Sequence, residues 1–112
     1  MDLGLKGKVA LVTGAGSQIG FGHAIALALA ADGCDLAVND IDIAGAEKTR
    51  DSIQALGCRS IAIQADITQA GEVNQMVKTV LEKLGKIDIL INNAGGPGAA
   101  GGPFVSTREQ DW

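Results

Sequence analysis

Tyrosine is absent from the 112 residues, and aromatic side chains of any kind are scarce, with Phe21, Phe104 and Trp112 making up the 3%. Any core therefore has to be aliphatic. Positive charge is also short: nine Lys and Arg face thirteen Asp and Glu, for a net charge of −4 and a pI near 4.7. Without a basic stripe to neutralise phosphates, no nucleic-acid partner is expected. No apolar run approaches the roughly 20 residues of a membrane span. The start, Met1-Asp2-Leu3-Gly4-Leu5-Lys6, lacks the basic end and apolar stretch of a signal peptide. No membrane partner is expected either. The two cysteines, Cys34 and Cys58, make no CxxC pair and no metal-ligand spacing. They read as small core or strand-edge residues in a reducing cytoplasm.

What remains is aliphatic and rich in glycine. Hydrophobic residues make up 46% and charged residues 20%, enough for one packed domain over 1–112. The 16 glycines cluster at 14–22 and 95–102, which points to backbone chemistry at two loops. Val9-Ala10-Leu11-Val12 is an unbroken apolar run ending at Thr13-Gly14, the pattern of a strand buried on both faces. Leu36–Val38, Ile61–Ile63 and Ile87–Ile91 read as three further strands. Between them, Ala24–Asp32 reads as a helix closed by Gly33. A second has Ala46, Thr49, Ile53 and Leu56 at helical spacing before Gly57. A third has Val73, Met76, Val77, Val80, Leu81 and Leu84 on one face before Gly85.

Strand and helix in alternation predict an α/β fold, a doubly wound parallel sheet of the Rossmann type with right-handed crossovers. The sheet is expected to be truncated after the fourth strand, leaving that strand as an exposed edge. Ser106 with Glu109 and Thr107 with Gln110 form two overlapping capping-box patterns, so a helix is expected to start there. Trp112 follows within about one turn, too short for a stable isolated helix. The 112 residues thus read as the N-terminal part of a longer domain.

The turn Gly14-Ala15-Gly16-Ser17-Gln18-Ile19-Gly20-Phe21-Gly22 joins the first strand to the first helix. A pyrophosphate needs backbone N–H groups at a helix N-terminus and no side chains blocking its approach, and glycines supply both. Asp40 ends the second strand, 20 residues beyond Gly20. A carboxylate at that spacing accepts the adenosine ribose hydroxyls and repels a 2′-phosphate, which favours NAD. Asp42 reads as solvated. Asp66 ends the third strand, where it suits either an adenine contact, with Ile67 over the ring, or a helix cap. Asn92-Asn93-Ala94-Gly95 ends the fourth. Four strand ends carrying polar residues or glycine make a consistent ligand crevice. His23 reads as a surface residue.

Taken together and in order, Thr13-Gly14 with the glycines to Gly22, Asp40, Asp66 and Asn92-Asn93-Ala94-Gly95 resemble the short-chain dehydrogenase/reductase family. The resemblance covers Lys8 to Trp112, in the manner of 3-oxoacyl-carrier-protein reductases or hydroxysteroid dehydrogenases. It implies that Gly14 and the loop of Ser17, Gln18, Ile19, Gly20 and Phe21 meet the adenosine ribose and pyrophosphate. Asp40 would then set NAD preference, Asp66 and Ile67 hold adenine, and Asn93, Ala94 and Gly95 line the ribose nearer the nicotinamide. The loop is about two residues longer than the family's common TGxxxGxG, so either Gly14 or Gly16 aligns as its first glycine. The family's catalytic Ser, Tyr and Lys would lie beyond residue 112. The resemblance implies hydride transfer between NAD and a small alcohol or carbonyl substrate, by a complete enzyme that is a homo-oligomer. The 112 residues alone are expected to be inactive, with a complementary C-terminal fragment as a possible partner. Two alternatives stand beside this: a non-catalytic dinucleotide-binding module, and an S-adenosylmethionine-dependent methyltransferase. The latter gives no reason for Thr13-Gly14 or Asn92-Asn93-Ala94-Gly95.

Overall fold

A computed structural model describes residues 4–17 and 20–93, together with the backbone of 104–106. Along the chain run β1 (Val9–Thr13), α1 (Phe21–Ala31), β2 (Asp35–Asp40), α2 (Ile43–Ala55), β3 (Ser60–Gln64), α3 (Ala70–Leu84), β4 (Ile89–Asn92) and β5 (Phe104–Ser106). They form one sheet in the order β3-β2-β1-β4-β5. The first four strands are mutually parallel, with Leu11 opposite Ala37 and Leu90, and Val38 opposite Ala62.

Alternation along the strands explains the double layer. Successive side chains of a strand point to opposite faces, and every position of β1 is apolar and buried up to Thr13. Ala10 and Val12 join Leu36, Val38 and Ile91 under α1 and α2, where Ala26, Ala30 and Ile53 pack. Val9 and Leu11 join Ala37 on the opposite face, under Met76, Val80 and Leu84 of α3. The continuous apolar runs are therefore a consequence of burial on both sides.

Several boundaries differ from the sequence expectation for physical reasons. Helix α1 begins at Phe21, not Ala24, because Gly22 is a helical residue pressed against β1. Leu56 and Leu81, expected on buried faces, are 53% and 46% exposed. Leu56 is the C-cap of α2, where the helical face has run out. Gly85 closes α3 in the left-handed region, with φ 87, a conformation that costs a side-chain-bearing residue energy.

The larger correction is at the β4 edge. It is not bare: β5 pairs with it antiparallel, Leu90 opposite Ser106, Ile91 opposite Val105 and Asn92 opposite Phe104. Ser106 is the last residue of this strand, and the helix expected to start there falls on residues outside the described ones. An unpaired row of N–H and C=O groups is a template for another strand, and Phe-Val is a good strand-forming pair, which together account for β5. Thr107 to Trp112 lie outside the described residues.

Candidate functional site

The parallel strands all deliver their C-terminal ends to one edge of the sheet, and the polar residues of the sequence gather there. Thr13 is 3% exposed at the end of β1. Its hydroxyl donates to Asn92 Oδ1 at 2.9 Å and accepts from the Asn93 N–H at 2.9 Å, locking β1 to the end of β4. Asn93 Nδ2 reaches Gly14 O at 3.5 Å. Gly14 turns the chain with φ 66. Its carbonyl lies so close to Gly22 that a Cβ there would collide with it, and would sit 2.9 Å from Asn93 Nδ2. Gly22 is therefore the glycine that lets α1 approach β1.

Helix α1 starts without side-chain capping. Its N-cap is Gly20, no side chain bonds there, and its first turn holds no acidic residue. The other two helices each differ in one respect, α2 by its cap and α3 by an acidic first turn. Asp42 caps α2 by accepting from the Gly45 N–H at 3.3 Å, and Glu72 lies in the first turn of α3. Phe21, the first residue of α1, is 71% exposed. Ser17 is exposed and its carbonyl accepts from the Gly20 N–H at 3.2 Å. Among the described residues, no side chain caps the start of α1, where the positive end of the helix dipole lies.

Asp40 is the most constrained of the expected site residues. Its Oδ2 accepts from the Gly16 N–H at 2.8 Å and its Oδ1 from the Asp42 N–H at 3.0 Å. A Cβ on Gly16 would come within 2.7 Å of Asp40 Cγ, so only glycine permits that approach. Carboxylate and Gly-rich turn are brought together directly. Asp66 is joined less closely: Asp40 O accepts from the Ala65 N–H at 3.4 Å. The carboxylate of Asp66 closes a local turn, its Oδ1 accepting from the Thr68 hydroxyl at 2.6 Å and N–H at 2.9 Å. The hydroxyl first and the N–H second hold it below the usual carboxylate range. Asp66 is not the N-cap of α3, which is Gln69. Ile67 is half-buried and lines a cavity of about 430 Å³ with Thr13, Val73, Val77, Leu90 and Asn92. Gln18, Ile19, Ala94 and Gly95 lie outside the described residues.

A family profile described as short chain dehydrogenase matches residues 8–112. The chain belongs to the short chain dehydrogenase family. It is 43% identical over 97 residues to 7alpha-hydroxysteroid dehydrogenase of Escherichia coli strain K12, covering 87% of this chain and 37% of that enzyme. It is 47% identical over 92 residues to a 3-oxoacyl-[acyl-carrier-protein] reductase of Synechocystis, covering 81% and 36%. The chain thus spans little more than a third of the length of these relatives. Among solved structures, 7 alpha-hydroxysteroid dehydrogenase complexed with NADH and 7-oxo glycochenodeoxycholic acid superposes with a TM-score of 0.78 at 43% identity, over 82% of this chain and 35% of that one. An NAD+-bound xylitol dehydrogenase gives 0.77 at 40% identity, over 82% and 35%. The doubly wound sheet is the fold of the family.

Several residues that shape the site carry no obvious sequence signal. Asn39, 1% exposed within an apolar strand, donates through Nδ2 to Ile63 O at 3.1 Å and Ala65 O at 3.2 Å, fastening β3 to β2. His23, expected at the surface, is half-buried, with Nδ1 3.0 Å from Thr49 Oγ1. A polar residue on a buried face needs a partner, and that was the available clue for Asn39 and Thr49. The two cysteines are free. Burial, and next the Asp35 carboxylate, push the Cys34 thiol up to about 11, so it is poorly nucleophilic. Among the described residues, no helix is long and apolar enough to cross a membrane, and no group of His, Cys, Asp and Glu could hold a metal ion.

Proposed function

We propose that this chain is the cofactor-binding part of an NAD-dependent oxidoreductase acting on a small alcohol or carbonyl compound. The observation that carries the reading is the Asp40 carboxylate, held by the Gly16 and Asp42 N–H groups at the end of β2 beside the uncapped start of α1. The two features match the two demands of the cofactor. A pyrophosphate is anionic and suits the N–H groups of a helix start, here those following Gly20. The adenosine ribose offers hydroxyl donors, and a carboxylate that already accepts one N–H on each oxygen retains lone pairs for them. The NADH and NAD+ named with the two related structures support the same assignment.

In this reading Gly14, Ser17, Gly20 and Phe21 lie against the pyrophosphate, with Gln18 and Ile19 of the same loop. Asp40 accepts from the adenosine ribose, Asp66 and Ile67 meet adenine, and Asn93, with Ala94 and Gly95, borders the second ribose. Bound NAD supplies a nicotinamide ring that accepts or donates hydride. This chain orients the ring indirectly, by fixing the rest of the cofactor. The family's acid/base group is expected to be a tyrosine, and these 112 residues contain none. The 112 residues bind cofactor without turning it over.

Cofactor choice tests the reading. A 2′-phosphate beside Asp40 meets like charge and loses the ribose hydroxyl bond, which is worth about 1–3 kcal/mol. NAD+ should bind roughly tenfold or more tighter than NADP+ in a fluorescence titration. Asp40→Asn, which keeps an acceptor for Gly16, should narrow that gap. Equal affinities in the wild type refute the assignment.

A further inference from the structure

The Gly-rich turn is held from behind by α2 and α1, through a contact that touches no ligand site. Thr49 lies on α2 with its side chain fully buried. Its hydroxyl is 2.7 Å from Ala15 O and 3.3 Å from Gly45 O. A hydroxyl has one proton to donate, and the shorter, inter-element bond to Ala15 is the better geometry. The contact to His23 Nδ1 at 3.0 Å is then one that Thr49 accepts, so the ring carries its proton on Nδ1. His23 is in the first turn of α1, the turn that opens toward the site.

The N–H of this Ala15–Gly16 peptide and that of the preceding one are fixed too. The Ala15 N–H donates to Asn39 O at 2.9 Å, and the Gly16 N–H donates to Asp40 Oδ2 at 2.8 Å. A Cβ on Gly45 would collide with Gly16 O, so α2 packs on the turn without a gap. One peptide unit thus links β2, α2 and, through His23, the start of α1.

We propose that Thr49, backed by His23, is a positioning residue for cofactor binding: it fixes the Ala15–Gly16 peptide and with it the Asp40 carboxylate. The proposal rests on the dinucleotide reading above. Without the hydroxyl, Ala15 O is left unpaired in a dry site, and the peptide turns to find another donor. That rotation carries the Gly16 N–H away from Asp40.

The test is calorimetric titration of the protein with NAD+, each variant measured at a temperature where circular dichroism shows it folded. Thr49→Val keeps the shape and removes the hydroxyl. It should weaken NAD+ binding roughly five- to tenfold, the share of one buried hydrogen bond. Thr49→Ser restores the hydroxyl and should recover most of the affinity. His23→Ala should weaken binding about two- to threefold, as loss of a partly exposed bond. It carries the test alone if Thr49→Val does not fold. Wild-type binding with an unchanged Thr49→Val or His23→Ala affinity overturns the positioning role and leaves the cofactor reading intact. Equal losses in Thr49→Val and Thr49→Ser also overturn it, because packing and not the hydroxyl would be responsible. A wild type that does not bind NAD+ overturns the cofactor reading itself, and the positioning role with it.

Discussion

Replacing Gly16 by alanine perturbs the site at its tightest point. The added Cβ would lie 2.7 Å from Asp40 Cγ and 2.8 Å from both Asp40 Cβ and Oδ2. Carbon atoms in ordinary contact sit about 3.5–4.0 Å apart, so several tenths of an ångström must be found. The Asp40 side chain cannot simply swing away, because its Oδ2 is the acceptor of the 2.8 Å bond from Gly16 itself. Either the turn backs off, or the carboxylate leaves. Both outcomes break that bond, and a hydrogen bond to a charged group contributes about 1.5–3 kcal/mol. We therefore expect Gly16→Ala to lose roughly tenfold or more in NAD+ affinity and about 1–3 kcal/mol of stability, as overpacking does. Fluorescence titration and urea denaturation read the two effects. Gly71→Ala is the control: it lies in α3, and an added Cβ there meets nothing within 4 Å. The helical preference for alanine should raise stability there by about 0.5–1 kcal/mol. A Gly16→Ala protein that binds NAD+ like the wild type refutes the coupling of turn and carboxylate.

Asn39→Leu removes both donors to the end of β3 and leaves Ile63 O and Ala65 O without them; the expected loss, seen as a lower urea midpoint, is about 2–4 kcal/mol. Asp88 sits under the opposite end of the sheet, where burial opposes its charge but the Val9 N–H at 2.9 Å and Lys86 at 3.1 Å outweigh it, holding the carboxyl below its usual range. A carboxyl depressed on folding contributes stability above its unfolded pKa and loses it as pH falls through the folded one, so Asp88→Asn should flatten the acid limb of the stability curve; an unchanged slope refutes this. Cys34, its thiol raised to about 11 and buried, should resist alkylation at pH 8 until urea unfolds the protein, and rapid native labelling contradicts the packing described.

The sheet was legible because burial on two faces leaves a plain mark. Val9 to Val12 has no polar residue, and β1 is the strand flanked by β2 and β4 with helices on both sides. Three strand ends were legible for the same reason, since Thr13, Asp40 and Asn92 interrupt or follow apolar runs, whereas β3 ends at Gln64, two residues before the expected Asp66. What escaped was pairing across the chain. Glycine is a poor helix former, so Gly20–Gly22 reads as loop until Gly14 O is placed against Gly22. Thr49 reads as one more position on an apolar face, because its partner Ala15 is 34 residues away. The antiparallel β5 depends on an edge that becomes available only once β4 has paired with β1, and local capping patterns carry no information about that.

A crystal structure of the protein with NAD+ tests the central claim most directly. The account predicts the pyrophosphate against the N–H groups of Phe21 and Gly22 at the start of α1, with the adenosine ribose hydroxyls on Asp40 and the Gly16–Asp40 bond retained. A cofactor seated elsewhere, or an Asp40 that turns away from the ribose when NAD+ is bound, contradicts it.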